Sequence, residues 1–395
     1  MEVKRRTSIR TLLIYVLPAA MDLVSGLVLF VATVRASEMG GEALRAASVL
    51  TVWSLVYVTS CPVVGRFVKP GNAAGLVLGG ILVLAVACGS LAYAAAYVPM
   101  LLLVAATALG AALFFPPFQI FMKDVGAADG RSLAASTGLY TFFWSAGYAC
   151  GPLVSGLLMQ RGASNGQGWR VSYLLGAGLC ILLSVGFLLM RRAGSRSAVA
   201  APVPPVSSDA PTGRRDFAWL GWIVAGVGLV GYSMIRSVFP ARALNVLHLA
   251  EGNVGAILFV VSLSQALTGL AMTKSRAWMY RPLPLAAFSI AGLAGILCFG
   301  FASSLLLLLG GSVLFGVYTG FFYFFLVYHA LVHPTKAGHY VALNESVVGI
   351  AGVAAPLAAG LAIDTLGSRS PYLAAGVLIV AVIVFQTWAL RRRGG

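Results

Sequence analysis

Twelve apolar runs, each about 20 residues long and bounded by charged, Gly/Pro or polar clusters, narrow the folds open to this chain more than any other feature. They fall at residues 11–34, 46–65, 73–96, 98–121, 133–159, 171–190, 217–240, 253–272, 283–303, 305–331, 340–363 and 371–390. A run of that length spans the hydrocarbon core of a bilayer as a helix. In lipid the backbone must satisfy its own hydrogen bonds, so only helices or a closed barrel can cross. The expected class is therefore an all-α membrane protein with twelve transmembrane helices.

A Gly/Pro signature occurs twice inside these runs. The first copy holds Gly147, Gly151, Pro152 and Gly156, and the second holds Gly352, Pro356 and Gly360. The two prolines are 204 residues apart, and Gly65 and Gly269 keep the same interval. Arg35 and Arg242, each followed by alanine, repeat at 207. Such duplication predicts two pseudo-symmetric six-helix bundles, residues 1–190 and 217–395. Between them, residues 191–216 are rich in Ala, Pro, Ser and Arg without apolar periodicity, as expected of a cytoplasmic tether. The other loops are short, leaving no room for a nucleotide-binding or catalytic domain, so an enzyme is not expected.

The formal charge of +16 would suggest a nucleic-acid partner in a soluble protein. Here only 10% of residues are charged and 59% are hydrophobic. Of the Lys and Arg residues, 20 fall in one set of alternate loops and nearby span ends, and 7 in the other. That asymmetry follows the positive-inside rule and places both termini and the tether in the cytoplasm, in a multi-pass protein of the inner (plasma) membrane. Nucleic acid is excluded as a partner on the same ground. The five cysteines lie inside apolar runs without metal-like spacing, and no metal or cofactor is expected.

Twelve spans in two related halves, a basic central segment, the turn after span two and the span-five signature together resemble the major facilitator superfamily. In that family the loop after span two runs Gly-x-x-x-Asp-Arg/Lys-x-Gly-Arg/Lys. Here Gly65, Arg66, Lys69 and Gly71 keep the glycines, but the loop is one residue short and places Lys69 where the aspartate belongs. The second copy has Gly269, Thr273 at the aspartate position, and Lys274. The span-five pattern Gly-x-x-x-Gly-Pro-x-x-Gly-Gly, associated with the family's proton-coupled drug antiporters, is met at Gly147, Gly151, Pro152 and Gly156, with Ser155 as the one replacement.

Two acidic residues lie well inside apolar runs, Asp22 and Glu345. A carboxylate at membrane depth costs about 2.5–3.5 kcal/mol on insertion scales, so each points to function. Asp22 is the expected proton-coupling residue. Tyr15, Pro18, Asp22, Ser25 and Thr33 fall close to one helical stripe, a polar face turned toward a cavity. The plainer alternative is a fixed ion pair between Asp22 and Arg236 of span seven. Arg236 itself can snorkel to the outer interface or reach the substrate.

Glu345, Gly349, Gly352, Pro356 and Gly360 share one small-residue stripe. The resemblance implies an inner gate where the loop after span two meets span eleven, and here the charges are exchanged. Arg66, Lys69 and Lys274 are therefore the expected cationic gate residues, with Glu345 pairing with Arg66 or Lys69 or else making a local helix contact.

In the family, spans one, four, seven and ten line a central cavity. That implies cavity roles for Tyr15, Ser25, Phe118, Gln119, Arg236, Tyr318 and Tyr323, with Gln265 of span eight as a hydrogen-bonding group. An aromatic cavity with few charges suits a small amphipathic molecule. The sequence thus leads to the expectation of a monomeric, proton-coupled (or sodium-coupled) exporter of small amphipathic molecules. Proton symport of a sugar, nucleoside or amino acid is the alternative, and a non-transporting polytopic protein is the alternative of another class.

Overall fold

The computed structural model describes residues 9–40, 42–69, 71–128, 133–162, 166–194, 218–272, 281–332 and 337–394. Its first half contains α1 (Ile9–Glu38), α2 (Ala43–Phe67), α3 (Ala73–Leu91), α4 (Tyr97–Ala128), α5 (Leu133–Arg161) and α6 (Gly168–Gly194). The second contains α7 (Ala218–Ser237), the short α8 (Phe239–Asn245), α9 (Glu251–Met272), α10 (Pro282–Phe301), α11 (Leu305–Val332), α12 (Ala337–Leu366) and α13 (Ser370–Gly394). Among the described residues twelve segments are long and apolar enough to cross a membrane, with α7 and α8 forming one of them, Trp219–Asn245. The expected fold class holds: an all-helical, multi-pass membrane protein.

Span seven differs from its expected form. It does not end at residue 240 but breaks at Val238 and continues to Asn245. Pro240 explains the break, because its ring excludes the helical carbonyl four residues earlier and it has no N–H to offer. It sits instead in the first turn of α8, where that N–H is not needed. Arg236 is thereby placed just before a bend.

The duplication is visible in helix packing. In the first half α1 packs on α5, α3 on α4 and α6, and α2 on α4; in the second, α7 packs on α12, α10 on α11 and α13, and α9 on α11. The halves meet along two related seams, α5 with α9 and α12 with α2. Both seams need missing side chains. A Cβ on Gly156 would lie 2.5 Å from the carbonyl oxygen of Glu251 in α9, and one on Gly360 would lie 2.8 Å from Cα of Leu44 in α2. Gly349 and Gly352 extend the second seam against Val58 and Ser54. In lipid, where burial of apolar surface gives helices no reason to associate, such close approach supplies the packing that holds them.

The repeated arginines also take equivalent places. Arg35 of α1 donates to the carbonyl of Ala94 at 2.8 Å, just beyond α3, and its guanidinium lies 3.7 Å from the Trp169 ring centroid at the start of α6. Arg242 of α8 donates to Phe299 O (3.3 Å) and Gly300 O (2.9 Å) at the end of α10, and to Ser368 Oγ (2.9 Å) just before α13. Each ties the first, third and sixth spans of its half at the face opposite the chain termini. That face is called distal below, and the other terminal. The turn between α12 and α13 on the distal face needs Gly367, whose φ of 97° is open to glycine and strained for other residues.

Candidate functional site

Asp22 lies midway along α1 and is 8% exposed. Among the described residues it makes no hydrogen bond and no salt bridge. Among the described residues the opposite charge that acts on it is Arg236, on α7 of the other half. A fixed ion pair between the two is thus not what the structure shows: they are coupled at a distance, and Arg236 has taken other partners.

The guanidinium of Arg236 lies face-on to Tyr148 of α5, with Cζ 3.7 Å from the ring centroid, and 4.9 Å from that of Tyr232 one turn earlier on α7. Its Nη2 donates to Ser262 Oγ of α9, while its Nε has no hydrogen-bond partner. Arg236 is therefore held between helices of both halves rather than snorkelling to an interface. Toward the distal face it borders a small cavity with room for about one water molecule, lined also by Gly26 and Thr33 of α1, Leu50 of α2, Pro152 of α5 and Leu258 of α9.

Around this centre α5 is clasped by three helices of the other half. Gln265 of α9 donates through Nε2 to Ser145 Oγ at 3.2 Å, leaving its Oε1 buried without a partner. Trp144 meets Tyr323 of α11 edge-on at 5.9 Å, and Tyr323 meets Tyr232 in the same way at 5.9 Å. The result is a mid-depth layer in which a carboxyl group, a guanidinium, one unsatisfied amide oxygen and four aromatic rings converge at the junction of the halves.

Of the expected cavity residues, the structure brings Arg236, Gln265 and Tyr323 to this layer beside Asp22. Tyr15 and Phe118 lie outside it: Tyr15 stacks on Phe143 (6.0 Å), and Phe118 on Phe114 (5.2 Å) and Tyr140 (6.3 Å). Ser25 donates back to Met21 O of its own helix at 3.0 Å. Tyr318 is fully buried against Gly292 of α10, with its hydroxyl 3.4 Å from Val224 O of α7, so it belongs to the core of the second half. The side chain of Gln119 lies outside the described residues. Sequence reasoning missed Ser145, Tyr148 and Ser262 as site residues. All three lie one turn or less from residues it did select, and Tyr148 directly follows Gly147 of the span-five signature.

The gate residues divide in the same way. Arg66 and Lys69 are exposed at the terminal end of α2, where Asn72 staples the turn by accepting from Lys69 N and donating to Phe67 O, both at 2.7 Å. The side chain of Glu345 and all of Lys274 lie outside the described residues.

The span-five signature acts in packing. Gly147 abuts the carbonyl of Ala19, and a Cβ on Gly151 would lie 2.5 Å from Leu23 O and Leu27 N, which sets α5 directly on the stretch of α1 that carries Asp22. Pro152 and Gly156 face α9 through Gly255 and Glu251. One motif thus fixes α5 to its own half and lays it along the other.

The seam is closed toward the distal face. Described contacts between α2 and α12 run from Leu44 to Val58, whereas Pro62, Val63, Gly65, Arg66 and Phe67 at the terminal end of α2 are exposed.

The sequence matches the family model described as Major Facilitator Superfamily over residues 10–332. Among solved structures it is similar to a bacterial homolog of the human lysosomal transporter Spinster in an inward-facing and unoccupied conformation, with 16% identity, 98% of each chain covered and a TM-score of 0.69. It is also similar to the nucleoside transporter NupG, with 11% identity, 97% of this chain and 99% of that one covered, and a TM-score of 0.70. None of the curated proteins matches the sequence. At these identities the likeness is one of fold.

Proposed function

Since this chain belongs to the Major Facilitator Superfamily and is a membrane transporter rather than an enzyme, we propose that it is a proton-coupled secondary transporter that moves small amphipathic molecules by alternating access. The observation that carries this reading is Asp22: a buried acid midway along a membrane-spanning helix, held by no direct partner among the described residues and acted on by an arginine of the opposite half. In its charged form Asp22 attracts Arg236 across the junction and favours the halves' approach; with a proton bound it no longer does. A proton on one atom pair thereby biases which face is closed.

The substrate would occupy the same layer, where aromatic rings offer stacking surfaces and Arg236 and Gln265 offer polar contacts. The span-five signature supports outward transport against protons, and the positive-inside asymmetry supports an orientation with the terminal face in the cytoplasm of the cell that bears the protein in its inner membrane. A single chain holds every residue of this site, in keeping with a monomer. The division into 1–190, 191–216 and 217–395 follows from the same reading.

One observation favours a second reading, uptake of a metabolite together with a proton: Arg236 lies beside the site, and a substrate anion bound to it would compete with the charged form of Asp22 and so bring a proton along. Proteoliposomes with an imposed pH gradient separate the two. Outward transport requires that added substrate move protons opposite to itself, and co-transport requires the same direction; substrate flux indifferent to the gradient would reject both.

A further inference from the structure

Asp364 lies in the last turn of α12, on the distal face. Its two carboxylate oxygens accept the backbone N–H groups of Ala43 (3.1 Å) and Leu44 (3.2 Å), the first two residues of α2. A helix begins with N–H groups that have no partner within it, and the residue before the first turn normally supplies a side-chain acceptor. Here that residue is Glu42, and it makes no such bond; its carboxylate lies 3.6 Å from Arg45 Nε instead. The start of α2, in one half, is therefore capped by a carboxylate of the other half. The negative charge also meets the positive end of the α2 dipole.

The related seam has a related but uncharged contact. Gln160 of α5, 204 residues before Asp364, places its Oε1 against Gly252 in the first turn of α9. Each seam thus ends distally with a side chain of one half lying at the N-terminus of a helix of the other, and of these two side chains only Asp364 is charged.

We propose that Asp364 is the distal latch of the transport cycle, a positioning residue that caps α2 only while the distal face is closed. When the halves part there, the carboxylate and both N–H groups return to water, and the capping bonds are lost together. Asp364 therefore sets the population of the distal-closed state. This inference rests on the alternating-access part of the reading above and is independent of Asp22 as the proton site.

The test uses full-length protein in lipid nanodiscs, with Cys61, Cys88, Cys150, Cys180 and Cys298 replaced and spin labels at Tyr93→Cys and Leu366→Cys. Both positions are 77% exposed on the distal face, one in each half. Distances are read by double electron–electron resonance. Asp364→Ala is expected to raise the ratio of long to short distances about fivefold, the effect of losing a partly exposed charge-assisted cap. Glu42→Asp, which gives α2 a cap of its own and leaves Asp364 in place, is expected to shift the ratio in the same direction, and this variant decides the matter if Asp364→Ala does not fold. Gln160→Ala is expected to shift it less than Asp364→Ala.

Gly360→Leu, which forces a side chain into the α2 backbone, serves as the opened control. Wild-type distances in both the Asp364 and Glu42 variants, with long distances in the control, overturn the latch and leave alternating access standing. A single distance in all of them, the control included, overturns alternating access as well.

Discussion

Arg236 of α7 lies over the ring of Tyr148 of α5, with its guanidinium carbon 3.7 Å from the ring centroid, so the half-buried cation of one half rests on an aromatic surface of the other. The same guanidinium is the charge that acts on Asp22. Asp22, the aromatic layer and the junction of the halves are joined through this one side chain.

Removing the ring should therefore weaken the junction while removing the hydroxyl should not. Tyr148→Leu is expected to lower the transport rate about fivefold, in line with about 1 kcal/mol for a partly desolvated cation–π contact, and Tyr148→Phe to stay close to wild type. Initial rates in proteoliposomes distinguish the two. Equal losses in both variants would assign the role to the hydroxyl.

The glycines of the α1–α5 contact are expected to be intolerant in proportion to their crowding. Gly147→Ala sets a methyl group against the Ala19 carbonyl and should destabilise the protein by about 1–3 kcal/mol. Gly65 has nothing within 4 Å of an added Cβ, and Gly65→Ala should change stability by less than about 1 kcal/mol. Thermal unfolding of the two purified variants in detergent checks the contrast.

Arg35 and Arg242 should differ in a way their shared sequence context does not reveal. Arg242 satisfies two backbone carbonyls and a hydroxyl, and Arg35 one carbonyl and an aromatic face. Arg242→Ala is expected to cost about 2–4 kcal/mol and Arg35→Ala about 1–3 kcal/mol, because each orphaned buried carbonyl loses its donor. Lysine at 242 cannot reproduce the fork of donors, so Arg242→Lys should rescue little. Unfolding midpoints of these three variants give the comparison.

The spans and their pairing were readable because hydrophobic length and the 204-residue repeat are one-dimensional signals. Gly156 and Gly360, spaced by that repeat, occupy corresponding places at the two seams between the halves. Asp22 was readable because a carboxylate in an apolar run is costly wherever it points. Direction was not readable: Tyr318 and Tyr323 are five residues apart on α11, yet one enters the core of its half and the other the shared layer. Helical rotation decides this, and a helix apolar on all sides gives little periodic contrast from which to read rotation. The partner of Arg236 was hidden for another reason, since an aromatic face leaves no charge signal in the sequence. Asp364 passed unnoticed because an acid at the end of a span is ordinary until the helix it caps is known to belong to the other half.

The central claim, that Asp22 carries the coupled proton, is tested most directly by recording pH inside proteoliposomes as amphipathic cations and small metabolites are added, with wild-type protein and with Asp22→Asn. The expected result is substrate-driven proton movement in the wild type and its loss in Asp22→Asn, while exchange of labelled for unlabelled substrate continues. Proton movement that persists unchanged in Asp22→Asn would contradict it and leave Asp22 a structural residue.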